Sequence, residues 1–218
     1  MSDLNSDIPG ALYGSRLIEQ PHVRPEVEFT QSFLSEVAPN FVEIGFDHGY
    51  RLIDTAQRNP DWQCLGIEVR QKRVEEVAAL AKGLGLANCH AWRMDARTVV
   101  SRVIYDDSID VIDILYPTPW WDSNKRTKRL LIQSHFVASL ARILKVGGLV
   151  RVETDVAAYA QHIEMVLSEH AELSAVCPTE THHRFPACNV RSRRQKKQSR
   201  DGLPQWIFVY ERRLSDAE

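Results

Sequence analysis

Residues 41–50, FVEIGFDHGY, limit the fold of this chain more than any other stretch. A short apolar run carries Glu43, and Gly45 and Gly49 follow at the spacing of a strand-to-helix turn. Glycines belong at such a turn because the backbone must reverse tightly and let a nucleotide-type ligand approach with no Cβ in the way. Asp47 stands between them, where a third glycine is expected, and brings a carboxylate into the loop.

Beyond this loop the pattern alternates. Residues 41–46 read as a strand, followed by a short helix ending near Asn59-Pro60. Residues 62–69 read as a buried strand and 70–84 as a helix with Val74, Val77, Leu80, Ala81 and Leu84 on one face. A strand over 89–95, a short helix after Ala96, a strand over 109–116 and a long helix over about 128–144 come next. Gly147-Gly148 read as the cap of that helix, 149–154 as a strand, 155–169 as a helix and 206–213 as a closing strand. Such alternation predicts an α/β fold, a doubly wound and mostly parallel sheet with ligand sites beyond the carboxyl ends of its strands. It occupies a single domain over 31–213, with a polar arm at 1–30 and a short tail at 214–218.

No apolar run approaches the roughly 20 residues of a membrane helix, and residues 1–10 lack the basic-then-apolar pattern of a signal peptide. Cys64, Cys89, Cys177 and Cys188 lie far apart, which suggests reduced thiols in a cytoplasmic protein. His182 and His183 with Cys177 and Cys188 fit no standard zinc spacing, so no metal is expected. Net charge is −2, yet residues 184–200 hold seven basic residues and no acidic one. The rest of the chain then carries −9, so the segment reads either as a polyanion site or as a solvated loop.

Acids recur at successive strand ends: Glu43, Glu68 and Asp95. A carboxylate at the end of the second strand is placed to accept from a ribose diol, and Asp95-Ala96 at the third to meet an adenine edge. EIGFDHG, NPDWQCLGIEVRQKRV, DA, YPTPW, LLIQSHF and ETDVAAY run in unbroken order over about residues 41–165. Together they resemble the tRNA (guanine-N7)-methyltransferase family. The resemblance implies a class I fold with a seven-stranded sheet and S-adenosylmethionine as cofactor. Glu43, Gly45, Glu68, Asp95 and Ala96 would surround that cofactor, with Asp47 and Gly49 completing the loop.

Three positions depart from the family. Thr118 stands for its catalytic aspartate, Asp122 for a lysine, and Asp47 for a glycine beneath the methionine part of the cofactor. Asp47 either bears on the cofactor or faces solvent and caps a helix starting near His48. The resemblance places Thr154 and Asp155 on the substrate side, Asp155 compensating catalytically for Thr118 or serving as a helix N-cap. Trp120 would stack on a base, Lys125 and Arg126 would meet the RNA, and Ser192, Lys196, Lys197 and Arg200 loosely match the eukaryotic form of the family near the cofactor. The expected activity is guanine-N7 methylation of tRNA by a monomer or homodimer. Another RNA or a small heterocycle, or a non-catalytic RNA-binding role, are the alternatives. Asp113, inside the strand IDVIDIL, has no assigned role.

Overall fold

The computed structural model describes residues 38–119 and 130–214. Trp120, Asp122, Lys125 and Arg126, and the arm at 1–30, lie outside the described residues. Seven strands form one sheet: β1 Phe41–Ile44, β2 Cys64–Glu68, β3 Cys89–Arg93, β4 Ile109–Leu115, β5 Leu144–Thr154, β6 Leu173–Ala175 and β7 Trp206–Arg212. Their spatial order is β3-β2-β1-β4-β5-β7-β6. The first five run parallel, while β7 lies antiparallel to both β5 and β6.

Both faces are covered, as parallel strands require. Helices α1 (Tyr50–Arg58) and α2 (Gln71–Gly83) bury Leu52, Ile53, Val74 and Val77 with Phe41 and Phe46 on one face. Three further segments cover the other: α3 (Ala96–Thr98), which runs into a π-turn at Val99–Val103, α4 (Ser134–Ile143) and α5 (Ala157–Ser168). There Phe136, Leu140, Ile143, Ile163 and Leu167 pack on Val42, Ile44, Ile112, Ile114, Val150 and Val152. The strand order turns back between β1 and β4, and a crevice opens at that switch point.

Two elements differ from the sequence reading. Helix α4 begins at Ser134, and Leu130–Gln133 is irregular. Gly147 and Gly148 do not cap that helix: α4 ends at Ile143 and the chain enters β5 at once. A Cβ on Gly148 would sit 2.9 Å from the Lys145 carbonyl and 3.1 Å from that of Ile109. The glycine is therefore needed for close backbone approach, where the β4–β5 register shifts between Ile109 and Val111. Residues 184–200 are not all loop either. They include α7 (Arg193–Asp201), which follows a short helix α6 (Pro178–Thr181).

Charged side chains interrupt the apolar face under α1. Glu43, Asp113 and Arg151 are direct neighbours in adjacent strands β1, β4 and β5. They point the same way as Phe41 and Val111, with Glu153 two residues beyond Arg151. Asp113 is 1% exposed and Glu43 3%. Cys64 and Cys89 are register partners on β2 and β3, both buried.

Candidate functional site

The crevice is a cleft of about 840 Å³. Its walls include the 43–51 loop, Glu68, Asp95, Ala96, Thr118 and Asp155, with Ser192–Arg194 at its mouth. Glu43, Gly45, Asp47, Gly49, Glu68, Asp95, Ala96, Thr118, Asp155 and Ser192 thus meet at one place. Buried Thr154 does not line the cleft. Its hydroxyl turns back to accept from the Val156 amide at 3.3 Å. Lys196 and Lys197 do not line it either, and project from the exposed side of α7.

The loop is held by its glycines. Gly49, the N-cap of α1, has φ +65°, and a Cβ there would come within 2.4 Å of Val77. The space beyond Gly45, at φ +77°, is open to 4 Å. Asp47 does not cap α1, which starts at Tyr50. Its amide donates to Glu68 Oε2 at 3.2 Å, and its carboxylate accepts from Arg70 at 2.7 Å and lies 3.5 Å from Arg73. The extra charge is compensated by these arginines and leans toward the rim.

Glu68 is buried and well supplied with donors: the amides of Val69 and Arg70, at 3.0 and 3.1 Å, and the Arg70 guanidinium at 3.3 Å. Asp95 caps α3, accepting from the Arg97 amide at 2.8 Å, and still faces the cleft. Asp155 is not the N-cap of α5, a position held by Val156. Instead it binds Arg194 through contacts of 2.5 and 2.6 Å, with only 5% of its side chain exposed.

Sequence reasoning missed the layer behind these residues. Arg151 donates twice to Asp113, by Nε at 2.9 Å and by a second guanidinium nitrogen, and Arg51 reaches Asp113 at 3.2 Å. Both guanidiniums are thereby turned to Asp113, and Glu43 Oε2 is left buried with no hydrogen-bond partner, as is Nε of Arg51. Burial pushes the Glu43 carboxyl up to about 8, against the pull of Arg51 and Arg151 and with a further push from Asp113. The clue lay in charges set inside apolar strands, in IDVIDIL and VRVET. Asp110, the other acid of that strand, meets Lys145 at 2.7 Å.

Helix α7 was missed as well. Ser192 caps it in a reciprocal box with Gln195, at 3.1 and 2.8 Å. Its inner side is polar: Arg194 holds Asp155, Gln195 donates to Glu153 at 2.7 Å, and Gln198 accepts from the Tyr116 hydroxyl at 2.6 Å. Its outer side carries Arg193, Lys196, Lys197 and Arg200, all exposed and spaced i, i+3, i+4, i+7. The basic segment is therefore divided. Arg184 pairs with Glu211 and Arg200 with Asp201, while no ion pair is found for Lys196 or Lys197 among the described residues.

A switch-point cleft behind a glycine turn, with acids near the ends of three successive strands, defines a Rossmann-like fold with a site for a nucleotide-type cofactor. The crystal structure of the aminoglycoside resistance methyltransferase NpmB1 has the same fold, at TM-score 0.53 and 18% identity over 84% of this chain and 93% of that one. TrmN from Thermus thermophilus also matches, at TM-score 0.53 and 18% identity over 85% of this chain and 48% of that one. A family model described as "Putative methyltransferase" covers residues 37–207. The tRNA (guanine-N(7)-)-methyltransferase of Saccharophagus degradans is 30% identical over 93% of this chain and 85% of its own length. That of Yersinia enterocolitica is 38% identical over 65% of this chain and 59% of its own length. The chain belongs to the tRNA (guanine-N7)-methyltransferase family.

Membership makes S-adenosylmethionine the methyl donor, and the cleft residues fit it. The buried, unpartnered oxygen of Glu43 suits a cationic group, and the open space beyond Gly45 admits a ligand against the backbone. Among the described residues, no helix is long and apolar enough to cross a membrane.

Proposed function

We propose that this protein methylates N7 of a guanine in tRNA. The observation that supports this most directly is one cleft lined both by the cofactor-side acids and by Thr118 and Asp155. S-adenosylmethionine supplies an electrophilic methyl group on a sulfonium. Guanine N7 has a lone pair and no proton, so the step is an in-line displacement that needs alignment rather than a general base. Glu43 holds the cationic end of the cofactor, Glu68 its ribose, and Asp95 with Ala96 its adenine. Thr118 accepts one hydrogen bond from the guanine edge. Asp155 supplies negative charge near a purine that becomes cationic, and Arg194 fixes its orientation.

The outer side of α7 lies beside the cleft mouth and holds phosphates through Arg193, Lys196 and Lys197. By family resemblance, Lys125, Arg126 and Trp120 would also meet the RNA. Purified protein incubated with unmodified tRNA and methyl-labelled cofactor is expected to yield 7-methylguanosine. Cofactor binding without any labelled guanine would overturn the assignment.

A second reading has its own support. Thr118 carries no charge and the Asp155 carboxylate is already paired with Arg194, so neither presents a free carboxylate to guanine. Another RNA, or a small heterocycle with fewer donors, meets that wall as well. RNA affinity that is weak and insensitive to salt favours the small molecule, because phosphate contacts make affinity fall steeply with salt.

A further inference from the structure

Glu43, Asp113 and Glu153 set three carboxyl groups in one buried cluster against two guanidiniums, Arg51 and Arg151. The distribution of bonds is uneven. Asp113 takes both arginines. Glu153 accepts from the amides of Gln195 and Gln205, at 2.7 and 3.0 Å, and lies 3.8 Å from Arg151. Glu43 receives neither arginine as a hydrogen-bond donor, although Glu43, Asp113 and Arg151 stand in adjacent register. A buried carboxylate without a partner is costly, and the cost is met by binding a proton or a cation.

We propose that Asp113 is a positioning residue of the cofactor cleft: by drawing Arg51 and Arg151 onto itself, it leaves Glu43 to carry a proton in the free protein and to release it when a cationic ligand binds. The inference rests on the cofactor reading above and assigns a role to an acid that has no other. The balance is simple. The Glu43 O–H bond breaks, its proton passes to solvent, and the carboxylate forms an ion pair with the positively charged end of the cofactor.

Among the described residues, the charged and titratable groups that act on Glu43 are Arg51 from α1, Asp113 from β4, Arg151 from β5 and the thiols of Cys64 and Cys89 from β2 and β3; Glu153 and Cys188 act on Arg51. The Cys64 and Cys89 thiols are pushed far up by burial and stay neutral through the physiological range. The upward position of Glu43, at about 8, agrees with the geometric argument.

The test is calorimetry of S-adenosylmethionine binding at pH 7 in two buffers of different ionisation enthalpy. A group titrating near 8 is about 0.9 protonated at pH 7, so the wild-type protein should release close to one proton on binding. Its affinity should tighten by about tenfold per unit between pH 6 and 7. Glu43→Gln should bind more weakly with near-zero release, which also controls for the ligand's own amino group. Asp113→Asn frees a guanidinium for Glu43, and should cut the release toward the Glu43→Gln value and flatten the affinity profile. Wild-type binding without proton release, or unchanged release in folded Asp113→Asn, overturns the proposal and leaves the cofactor reading intact. No binding at all overturns both. Should Asp113→Asn fail to fold, the wild type and Glu43→Gln still decide whether Glu43 exchanges its proton.

Discussion

Glu43 shows how far a single side chain can depart from its ordinary chemistry. Its carboxyl moves from 4.5 to about 8, chiefly through burial. The folded protein therefore binds a proton that the unfolded chain releases above pH 4.5, so stability is full below that pH and declines as pH rises through about 8. Over this window the loss is on the order of 5 kcal/mol. Thermal unfolding of the ligand-free protein should show that decline, and Glu43→Gln should flatten it between pH 5 and 8. Arg70 offers a second case at this scale. It is half-exposed, yet it donates to acceptor sites on Glu68 that a ribose diol would need. Arg70→Ala should tighten cofactor affinity a few-fold in titration calorimetry, because an exposed ion pair contributes little to stability.

At the scale of elements, α7 is unusual in its means of attachment. Only Gln198 is buried along it, so the helix is held by hydrogen bonds and an ion pair rather than by an apolar stripe. The strap before it is fastened to α1 in the same way: Asn59 exchanges two bonds with Ala187, at 2.8 and 3.0 Å, and the Asn189 amide reaches Asp54 at 2.6 Å. A helix so held depends on its cap. Ser192→Ala should cost about 1 kcal/mol, measured by chemical denaturation. On the outer side, Lys196→Glu with Lys197→Glu should lower the slope of log affinity for tRNA against log salt by roughly 2, with cofactor binding unchanged. The sequence disclosed the charge run but not this division, because apolar periodicity is the main guide to a helix and α7 has almost none.

Across the whole molecule, legibility followed the same rule. Strands β1 to β5, the glycine turn and the acids at strand ends could be read from apolar runs and turn residues. Strand β6, of three residues, was too short to stand out. The pairing of Asp113 with Arg51 and Arg151 joins residues 62 and 38 positions apart, which no local pattern reports. A helix-cap role was one of two readings open for Asp155 and for Asp47; neither residue takes it, and each meets an arginine from another element. Ligand linkage acts at this scale too. Cofactor at 100 times its Kd should add about 2.7 kcal/mol to unfolding, a rise in Tm of roughly 5–10 °C for a domain of this size.

The neighbouring thiols of Cys64 and Cys89 have a use quite apart from catalysis. Both are pushed up to about 12 by burial, whereas Cys177 is exposed and its thiol is lowered by hydrogen bonds, chiefly from Thr179. A thiol-specific dye should therefore mark Cys177 at once and reach the buried pair only when strands β2 and β3 come apart. The chain carries its own clock for global opening, with a built-in reference for how fast the reagent works.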